Sequence, residues 1–130
     1  MELFSEDWMI KFKDEWNNEA TLAGALEKIG FNSTIAYGID GEEQPRGIIH
    51  IENGKATSAG AYNGEENNWD LRAKEDTWKN WMKKEMGMMG LGAAYTTRKL
   101  KFENGDYKAM IKDPRMAGPF IKSFTVMGRV

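Results

Sequence analysis

The sequence predicts an α+β fold, because two kinds of hydrophobic periodicity follow each other along the chain. Apolar residues recur with helical spacing near both ends, and between them they form short strand-like runs separated by Gly-containing turns. The 130 residues are 41% hydrophobic and 29% charged, which is typical of a globular protein. This length fits one domain that covers residues 1–130.

Two helices are predicted before the first strand. Ser5 is placed to cap the first helix, because two acidic residues follow it and aromatic residues recur every four positions up to Trp16. The second helix is predicted at residues 21–29, where apolar side chains fall on one face and Gly30 provides a C-terminal stop.

Three antiparallel strands are predicted next, at residues 31–39, 46–52 and 55–62. The Asn53-Gly54 pair between the last two runs indicates a hairpin, since a type I′ turn needs positive φ at both central residues. A polar loop follows, and Trp69–Ala73 is predicted as a short fourth strand that runs directly into a helix.

That helix is predicted at residues 74–85, because acidic residues occupy its first turn and lysines its last, as the helix dipole favours. The next segment, residues 86–97, combines methionines and glycines and contains no charged residue. Methionine provides a flexible apolar surface, and each interior glycine weakens a helix by about 1 kcal/mol. We therefore expect a soft helix that walls a ligand pocket and moves to admit the ligand; an ordinary buried helix is the alternative.

The end of the chain is predicted to add a fifth strand at residues 99–103. Asp106 is placed to cap a short helical turn that reaches Met110, and the Asp113-Pro114 pair is expected to break it. Pro119 suits the first turn of a closing helix, because that turn needs no backbone N–H at the proline.

Composition excludes several classes of function. The chain has no Cys, which rules out disulfides, thiolate catalysis and Cys-based metal sites. Its 18 basic and 20 acidic residues give a net charge of −2 without a basic block, so we expect no nucleic-acid partner. The N-terminus lacks the pattern of a secretory signal, and residues 86–97 are too short a run to span a membrane. The expected protein is cytoplasmic, with at most transient membrane contact.

Reactive groups are sparse. His50 is the only histidine and lies in a strand without a nearby nucleophile or orienting acid, so we expect it to be structural and expect no zinc site. Asp70 and Arg72 alternate on the fourth strand, which predicts an ion pair. The glycines of residues 86–97 lack the Lys-Ser/Thr of a phosphate-binding loop. The sequence therefore predicts no catalytic residue, no metal and no cofactor.

Two segments resemble the sterol carrier protein type 2 family. Residues 69–78, WDLRAKEDTW, are similar to its strand-to-helix segment, and residues 98–107, RKLKFENGDY, are similar to its Gly-Lys-Leu-Lys-x-x-Gly-Asp segment. The order of predicted elements also agrees. The resemblance implies a five-stranded mixed sheet, made of a three-stranded antiparallel meander, a crossover strand and a last strand, covered by helices and enclosing an apolar tunnel.

The same resemblance implies binding and intracellular carriage of a fatty acid, acyl-CoA, a sterol-like molecule or another lipid. It places the tunnel wall on the methionine-rich helix, the last strand and the end of the chain. The implied wall residues are Met86, Met88, Met89, Leu91, Ala94, Tyr95, Phe102, Met110, Phe120, Phe124 and Met127. The chain departs from the family pattern at Arg98, where the family usually has glycine, and at the additional Asn104.

Two other functions are compatible with the sequence. An enzyme or enzyme accessory subunit could hold a hydrophobic substrate in the same cavity, with His50, Tyr95 or Tyr107 acting on it. Alternatively, the Trp and Met surfaces could bind another protein. The sequence does not specify an oligomeric state.

Overall fold

Five strands form one mixed sheet in the computed structural model, which describes residues 1–130. The strands are β1 (Ser33–Ile39), β2 (Gly47–Glu52), β3 (Lys55–Ala61), β4 (Trp69–Ala73) and β5 (Lys101–Asn104). Their order across the sheet is β3-β2-β1-β4-β5. β1 and β4 are parallel and the other neighbouring pairs are antiparallel. This confirms the predicted α+β class, with its antiparallel meander, crossover strand and last strand.

The pairing register decides which side chains face the core. Ile35 on β1 pairs with Ile49 on β2 and with Trp69 on β4, so these three side chains lie on the same face of the sheet. Tyr37 and Leu71 pair with each other two residues further along and share that face. All five belong to, or pack against, the main hydrophobic core.

Six α-helices and one π-helical turn pack around this face. They are α1 (Glu6–Asn18), the π-helical turn (Ala20–Gly24), α2 (Ala25–Lys28), α3 (Glu75–Lys83), α4 (Met88–Thr96), α5 (Tyr107–Lys112) and α6 (Pro114–Met127). Two predicted caps are confirmed. The Ser5 hydroxyl accepts a hydrogen bond from the Trp8 N–H at 3.3 Å, and the Asp106 carboxylate accepts one from the Ala109 N–H at 3.0 Å.

The predicted hairpin between β2 and β3 is confirmed. Asn53 and Gly54 have φ values of 49° and 82°, as a type I′ turn requires. A Cβ atom at Gly54 would collide with the backbone of Ala23 and Glu27, so only glycine fits where the turn meets the π-helical turn and α2. The indole N–H of Trp16 donates to the Gly54 carbonyl at 2.9 Å, which ties α1 to the same turn.

The closing helix begins earlier than predicted. Pro114 occupies the first turn of α6 and Pro119 lies inside the helix, so the assignment of Pro119 to the first turn was wrong. Asp113 caps the helix by accepting a hydrogen bond from the Arg115 N–H at 3.0 Å. A cap followed by proline is a strong start signal, and it outweighs the later proline.

The fifth strand begins later than predicted, at Lys101. Arg98 has a φ of 63°, and the N–H groups of Lys99 and Leu100 both donate to the Ala94 carbonyl. These residues therefore close the end of α4 and are not free to join the sheet. A left-handed backbone conformation favours glycine, so Arg98 occupies a position that is strained for a residue with a side chain.

The remaining boundaries differ by a few residues. The second helix starts as the π-helical turn, so the predicted range 21–29 becomes Ala20–Gly24 followed by Ala25–Lys28. The helices predicted at 74–85 and 86–97 are both shorter. They are separated by extended backbone at Lys84 and Gly87.

The predicted ion pair between Asp70 and Arg72 is confirmed on the opposite face of the sheet. Arg72 Nε lies 2.6 Å from Asp70 Oδ1, and Arg72 Nη2 lies 3.0 Å from Asp70 Oδ2. Burial is the largest single influence and lowers the pKa of Arg72, but the hydrogen bonds to Asp70 and the nearby acidic charges together outweigh it, so the pKa is raised. Arg72 Nη1 also donates to the Glu42 carbonyl at 2.8 Å, which holds the loop between β1 and β2.

Candidate ligand-binding site

An apolar cavity lies between the core face of the sheet, the helical segment at residues 20–28, and α6. Its volume is about 30 Å³, and 11 of its 13 lining residues are hydrophobic. The lining residues are Trp16, Leu22, Leu26, Phe31, Ile35, Tyr37, Trp69, Leu71, Met110, Met116, Pro119, Phe120 and Ser123. A concave, mostly apolar space of this kind is the natural candidate for a ligand site.

Secondary structure brings these residues together. Ile35 and Tyr37 are two positions apart on β1, so both side chains point into the cavity from the sheet. Met116, Phe120 and Ser123 recur at intervals of four and three along α6, so they line one face of that helix. The cavity is therefore bounded by paired strands on one side and by several helical segments, α6 among them, on the other.

Tyr37 places a polar group at this apolar cavity. Its side chain is 1% exposed. Burial raises the pKa of Tyr37 above its ordinary value, so the hydroxyl stays protonated. Ser123, the other hydroxyl-bearing residue in the lining, donates to the Phe120 carbonyl.

Two of the predicted wall residues, Met110 and Phe120, line the cavity. Phe102 lies next to it, with its ring centroid 6.1 Å from that of Phe120. Tyr95 packs on Phe102 at 5.8 Å and stacks on Tyr107 at 3.8 Å with the rings nearly parallel. These rings form a continuous aromatic path from the cavity to α4.

The other predicted wall residues lie away from the cavity. Phe124 and Met127 are buried, and Phe124 stacks on Trp78 with a centroid separation of 5.9 Å. Three further residues, Met86, Leu91 and Ala94, are buried on the inner side of the α4 segment. Met88 and Met89 are 50% and 90% exposed and face solvent. The assignment of these residues to a ligand site stays a prediction.

The sequence-based assignment missed the part of the lining that precedes β5 and, after β5, Met116, Pro119 and Ser123. Leu22, Leu26 and Leu71 are all buried and line the cavity. Their helical or alternating spacing marked them as core residues, and nothing in that pattern distinguishes a core residue from a cavity residue. Only the parallel pairing of β1 with β4 places Leu71 beside Ile35 and Tyr37.

The cavity is much smaller than the implied tunnel. A volume of about 30 Å³ accommodates little more than a water molecule, whereas sites for drug-sized ligands measure roughly 300–1,000 Å³. The structure therefore does not show an apolar tunnel.

Potential catalytic groups do not converge. His50 pairs with Thr34 on the face opposite the cavity, and its Nδ1 lies 3.0 Å from the Thr34 hydroxyl. Tyr107, whose pKa is raised by burial and by the nearby Tyr95, lies on the cavity side. No group of three or more His, Cys, Asp or Glu residues could hold a metal ion. None of the helices combines the length and apolarity needed to cross a bilayer.

Comparison with solved structures identifies the fold. The crystal structure of a sterol carrier protein 2 aligns with 99% of this chain and 99% of its own, with a TM-score of 0.77 and 18% identity. The solution structure of a conserved hypothetical protein from Thermus thermophilus aligns with 98% of this chain and 90% of its own, with a TM-score of 0.67 and 17% identity. The ubiquinone synthesis protein UbiJ-SCP2 aligns with 89% and 88%, with a TM-score of 0.56 and 9% identity.

This chain resembles these proteins in structure, at a sequence identity of 18% or less. No protein-family model matches the sequence, and no curated protein matches it either. The alignments cover nearly the whole chain, so the chain has the sterol carrier protein 2 fold, and the predicted resemblance is confirmed at the level of the fold.

Proposed function

We propose that this protein binds and carries hydrophobic small molecules, such as a fatty acid, acyl-CoA or a sterol-like molecule, in the cavity beneath α6. The observation that carries the proposal is the position of an apolar cavity at the centre of a fold that this chain shares with a sterol carrier protein 2. The absence of converging reactive groups is consistent with a carrier, since such a site needs apolar area and few polar contacts.

The free energy of burying apolar surface indicates which ligands such a cavity would bind. Each buried CH₂ group contributes about 0.8 kcal/mol, so a chain of roughly sixteen carbons offers on the order of 12 kcal/mol before costs are subtracted. Micromolar affinity needs about 8 kcal/mol net, and the loss of translational and rotational freedom opposes binding. The expected ligands are therefore long-chain or polycyclic molecules.

Binding requires the cavity to expand. The side most able to move is the C-terminal one, because α5 packs mainly on α6 and the lining there includes the flexible side chains of Met110 and Met116. The opposite side is built from paired strands and is held by backbone hydrogen bonds. The free energy of this opening is subtracted from the observed binding free energy, which again favours ligands with a large apolar area.

The hydroxyl of Tyr37 would select ligands with a polar end. The hydroxyl stays protonated because burial raises its pKa, so it can donate a hydrogen bond. A ligand carboxylate or hydroxyl placed against Tyr37 would accept that hydrogen bond. A hydrocarbon without a polar group would form no hydrogen bond with Tyr37.

Titration with a fluorescent fatty acid, together with native mass spectrometry of the purified protein, tests the proposal. We expect saturable uptake of one molecule and loss of most of it in Phe120→Glu, which puts a charge into the cavity lining. Lys79→Glu, on the exposed face of α3, is the control and should bind normally. A folded protein without uptake, or equal binding by both variants, would contradict the proposal.

A second variant tests the polar contact. Tyr37→Phe removes only the hydroxyl, so we expect fatty-acid affinity to fall about fivefold, the loss of one hydrogen bond, while affinity for an uncharged polycyclic hydrocarbon stays the same. Tyr62→Phe, outside the cavity lining, is the matched control. Equal losses for both ligands would show that Tyr37 acts through packing alone.

The second candidate function is that of an accessory subunit of an enzyme. The structural likeness to UbiJ-SCP2, described as a ubiquinone synthesis protein, favours it. In this role the same cavity would present a hydrophobic substrate to a separate enzyme. The chain's own groups would not react, so His50→Ala should leave the rate of the combined system unchanged. A loss of turnover in His50→Ala with normal ligand uptake would indicate catalysis by this chain instead.

A further inference from the structure

The outer face of α4 is apolar although it faces solvent. Met88 and Met89 at its start are 50% and 90% exposed, and Ala93 is exposed one turn later. Residues 86–97 contain no charged side chain. An exposed helix of a globular protein normally presents charged and polar residues to water, so this face is unusual within the chain.

Basic residues bracket this apolar face. Lys83 and Lys84 precede α4, and Arg98 and Lys99 follow it. All four are exposed, and none forms an ion pair within 4.0 Å, unlike Lys79 and Lys101 nearby. They are therefore available to an anionic partner.

The charge distribution of the chain is correspondingly uneven. Residues 79–101 contain six basic residues and one acidic residue, Glu85, while the rest of the chain contains 12 basic and 19 acidic residues. A local positive field thus surrounds α4 in a protein whose net charge is −2. Ile10 is the exposed apolar residue of α1. It lies on a helix whose first turn is acidic, with Glu6 and Asp7, whereas the residues around α4 are mainly basic.

The inner side of α4 is anchored in the core, so its outer face is free to enter an apolar environment. Its inner side is anchored by Met86, Leu91 and Ala94, which are all at most 6% exposed. Its backbone makes no extensive contact with any other helix or strand. The two exposed methionines can therefore be buried without disrupting the core.

We propose that the outer face of α4 docks on anionic lipid bilayers. Met88 and Met89 enter the boundary between headgroups and acyl chains, and the four unpaired basic residues contact lipid phosphates and carboxylates. Membrane binding strengthens with the apolar area that is buried among the lipids and with electrostatic attraction to anionic lipids, and each basic residue near an anionic surface adds to the attraction. An uncharged surface of another protein would cover the methionines but would not neutralise the four flanking cations. Docking is a property of the surface and does not depend on whether the cavity binds lipid.

The absence of Cys makes a direct test possible, because Met89→Cys creates a unique site for an environment-sensitive fluorophore. We expect its emission to shift to the blue and to strengthen with vesicles of phosphatidylcholine containing roughly 30% phosphatidylserine, and to change little with pure phosphatidylcholine. Ile10→Cys carries the control label, on an exposed apolar position of α1. No response at position 89, or an equal response at position 10, would overturn the proposal. The same shift on raising the protein concentration without vesicles would also overturn it, since it would indicate self-association.

Charge variants test the contribution of the flanking cations. The double variant Lys83→Gln/Lys84→Gln should lower the partition coefficient on the anionic vesicles by at least about tenfold, and added salt should weaken wild-type binding. Lys11→Gln/Lys13→Gln on α1 changes the net charge equally and should have little effect. Equal losses in both variants would contradict docking through α4. Phe120→Glu should still bind the vesicles, which separates this proposal from the function of the cavity.

Discussion

The two halves of the apolar interior differ, because the half around Trp78 is filled by aromatic rings and the half around α6 encloses a cavity. Around Trp78 the core is aromatic: Phe4 lies with its ring centroid 5.1 Å from that of Trp78, and Phe4 stacks on Tyr37 at 5.4 Å. Trp78 is completely buried, and its indole N–H donates to the Gly38 carbonyl at 2.9 Å. This half is filled by large aromatic rings, and the polar atom of its central residue, Trp78, is satisfied.

The half around α6 is built from flexible and interrupted elements. Met110 and Met116 line the cavity there, and Pro119 lies inside the helix that covers it. A proline within a helix leaves one carbonyl of the preceding turn without its usual donor. Tyr37 belongs to both halves, because its ring stacks in the aromatic cluster and also lines the cavity.

We therefore expect one half to contribute mainly to stability and the other to ligand binding. We expect the aromatic packing around Trp78 to hold α1 and α3 on the sheet and to contribute strongly to stability. The half around α6 retains a cavity, which lowers stability locally but leaves room for a ligand. Four variants test whether the two halves differ in this way.

Trp78→Ala should have the largest effect. Removing a fully buried Trp costs about 3–5 kcal/mol of the free energy of unfolding, and here it also leaves the Gly38 carbonyl unpaired. Urea denaturation measures the loss as a lower midpoint with an unchanged m-value. Trp81→Ala is the control: Trp81 is only partly buried, so its loss should be clearly smaller. Equal losses would show that the aromatic half does not depend on Trp78.

Met110→Ala should cost about 2 kcal/mol and at the same time enlarge the cavity. We expect tighter binding of a bulky fluorescent hydrophobe, because less of the wall must move to admit it. Met127→Ala is a matched control, since Met127 is also buried but does not line the cavity. If Met127→Ala enhances binding as much as Met110→Ala does, the ligand occupies the wall predicted from the family resemblance rather than the observed cavity.

Gly92→Ala should stabilise α4 by up to about 1 kcal/mol, because alanine is the better helix former and no atom lies within 4 Å of the added Cβ. Amide hydrogen exchange in α4 should then slow about fivefold, from a wild-type rate that we expect to exceed that of α3. Gly105→Ala should instead destabilise, since Gly105 has a φ of 110° and its Cβ would collide with Trp69. Wild-type exchange in α4 no faster than in α3 would contradict a mobile α4.

Glu19→Gln should have the smallest effect, visible mainly at acidic pH. Hydrogen bonds from Thr21 and from Arg129, whose Nη1 lies 2.7 Å from Glu19 Oε1, lower the pKa of Glu19 to about 2. The ionised form therefore stabilises the fold above pH 4.5, and this contribution is lost as the pH falls from about 4.5 to about 2. Because the pair is near the surface, we expect less than about 1 kcal/mol at neutral pH.

Thermal melts between neutral and acidic pH measure this contribution. Glu19→Gln should melt slightly lower than wild type at neutral pH, and the difference should vanish at the acidic end. Glu85→Gln, at an exposed residue without an ion pair, should follow the wild type throughout. A constant difference at all pH values would mean that the substitution acts through packing and not through charge.

Predictions that depend on a few neighbouring residues were accurate. The Asn53-Gly54 hairpin, the caps at Ser5 and Asp106 and the stop at Gly30, which has a φ of 61°, were all found where predicted. Each depends on one or two hydrogen bonds or on a single dihedral angle. The start of α6 was misassigned because two prolines were both acceptable locally, and the cap at Asp113 selected the first.

The candidate site was less predictable. The methionine-rich segment was apolar enough to be assigned to the tunnel wall, yet Met88 and Met89 point to solvent while Leu91 is fully buried. A helix with apolar residues on both faces has no periodicity that reveals its inner side. Without its neighbours in space, the sequence could not indicate which methionines face the core.

The class of fold, the turns and most of the elements were therefore predictable from the residues, because periodicity and local dihedral preferences act over short distances along the chain. The charge pattern around α4 is likewise readable from the sequence, because it is a property of composition. The cavity was decided only by the tertiary structure. Its lining joins Leu22, Leu71 and Phe120, which are far apart in the sequence, and its volume is the small difference between the space that the elements enclose and the space that their side chains fill.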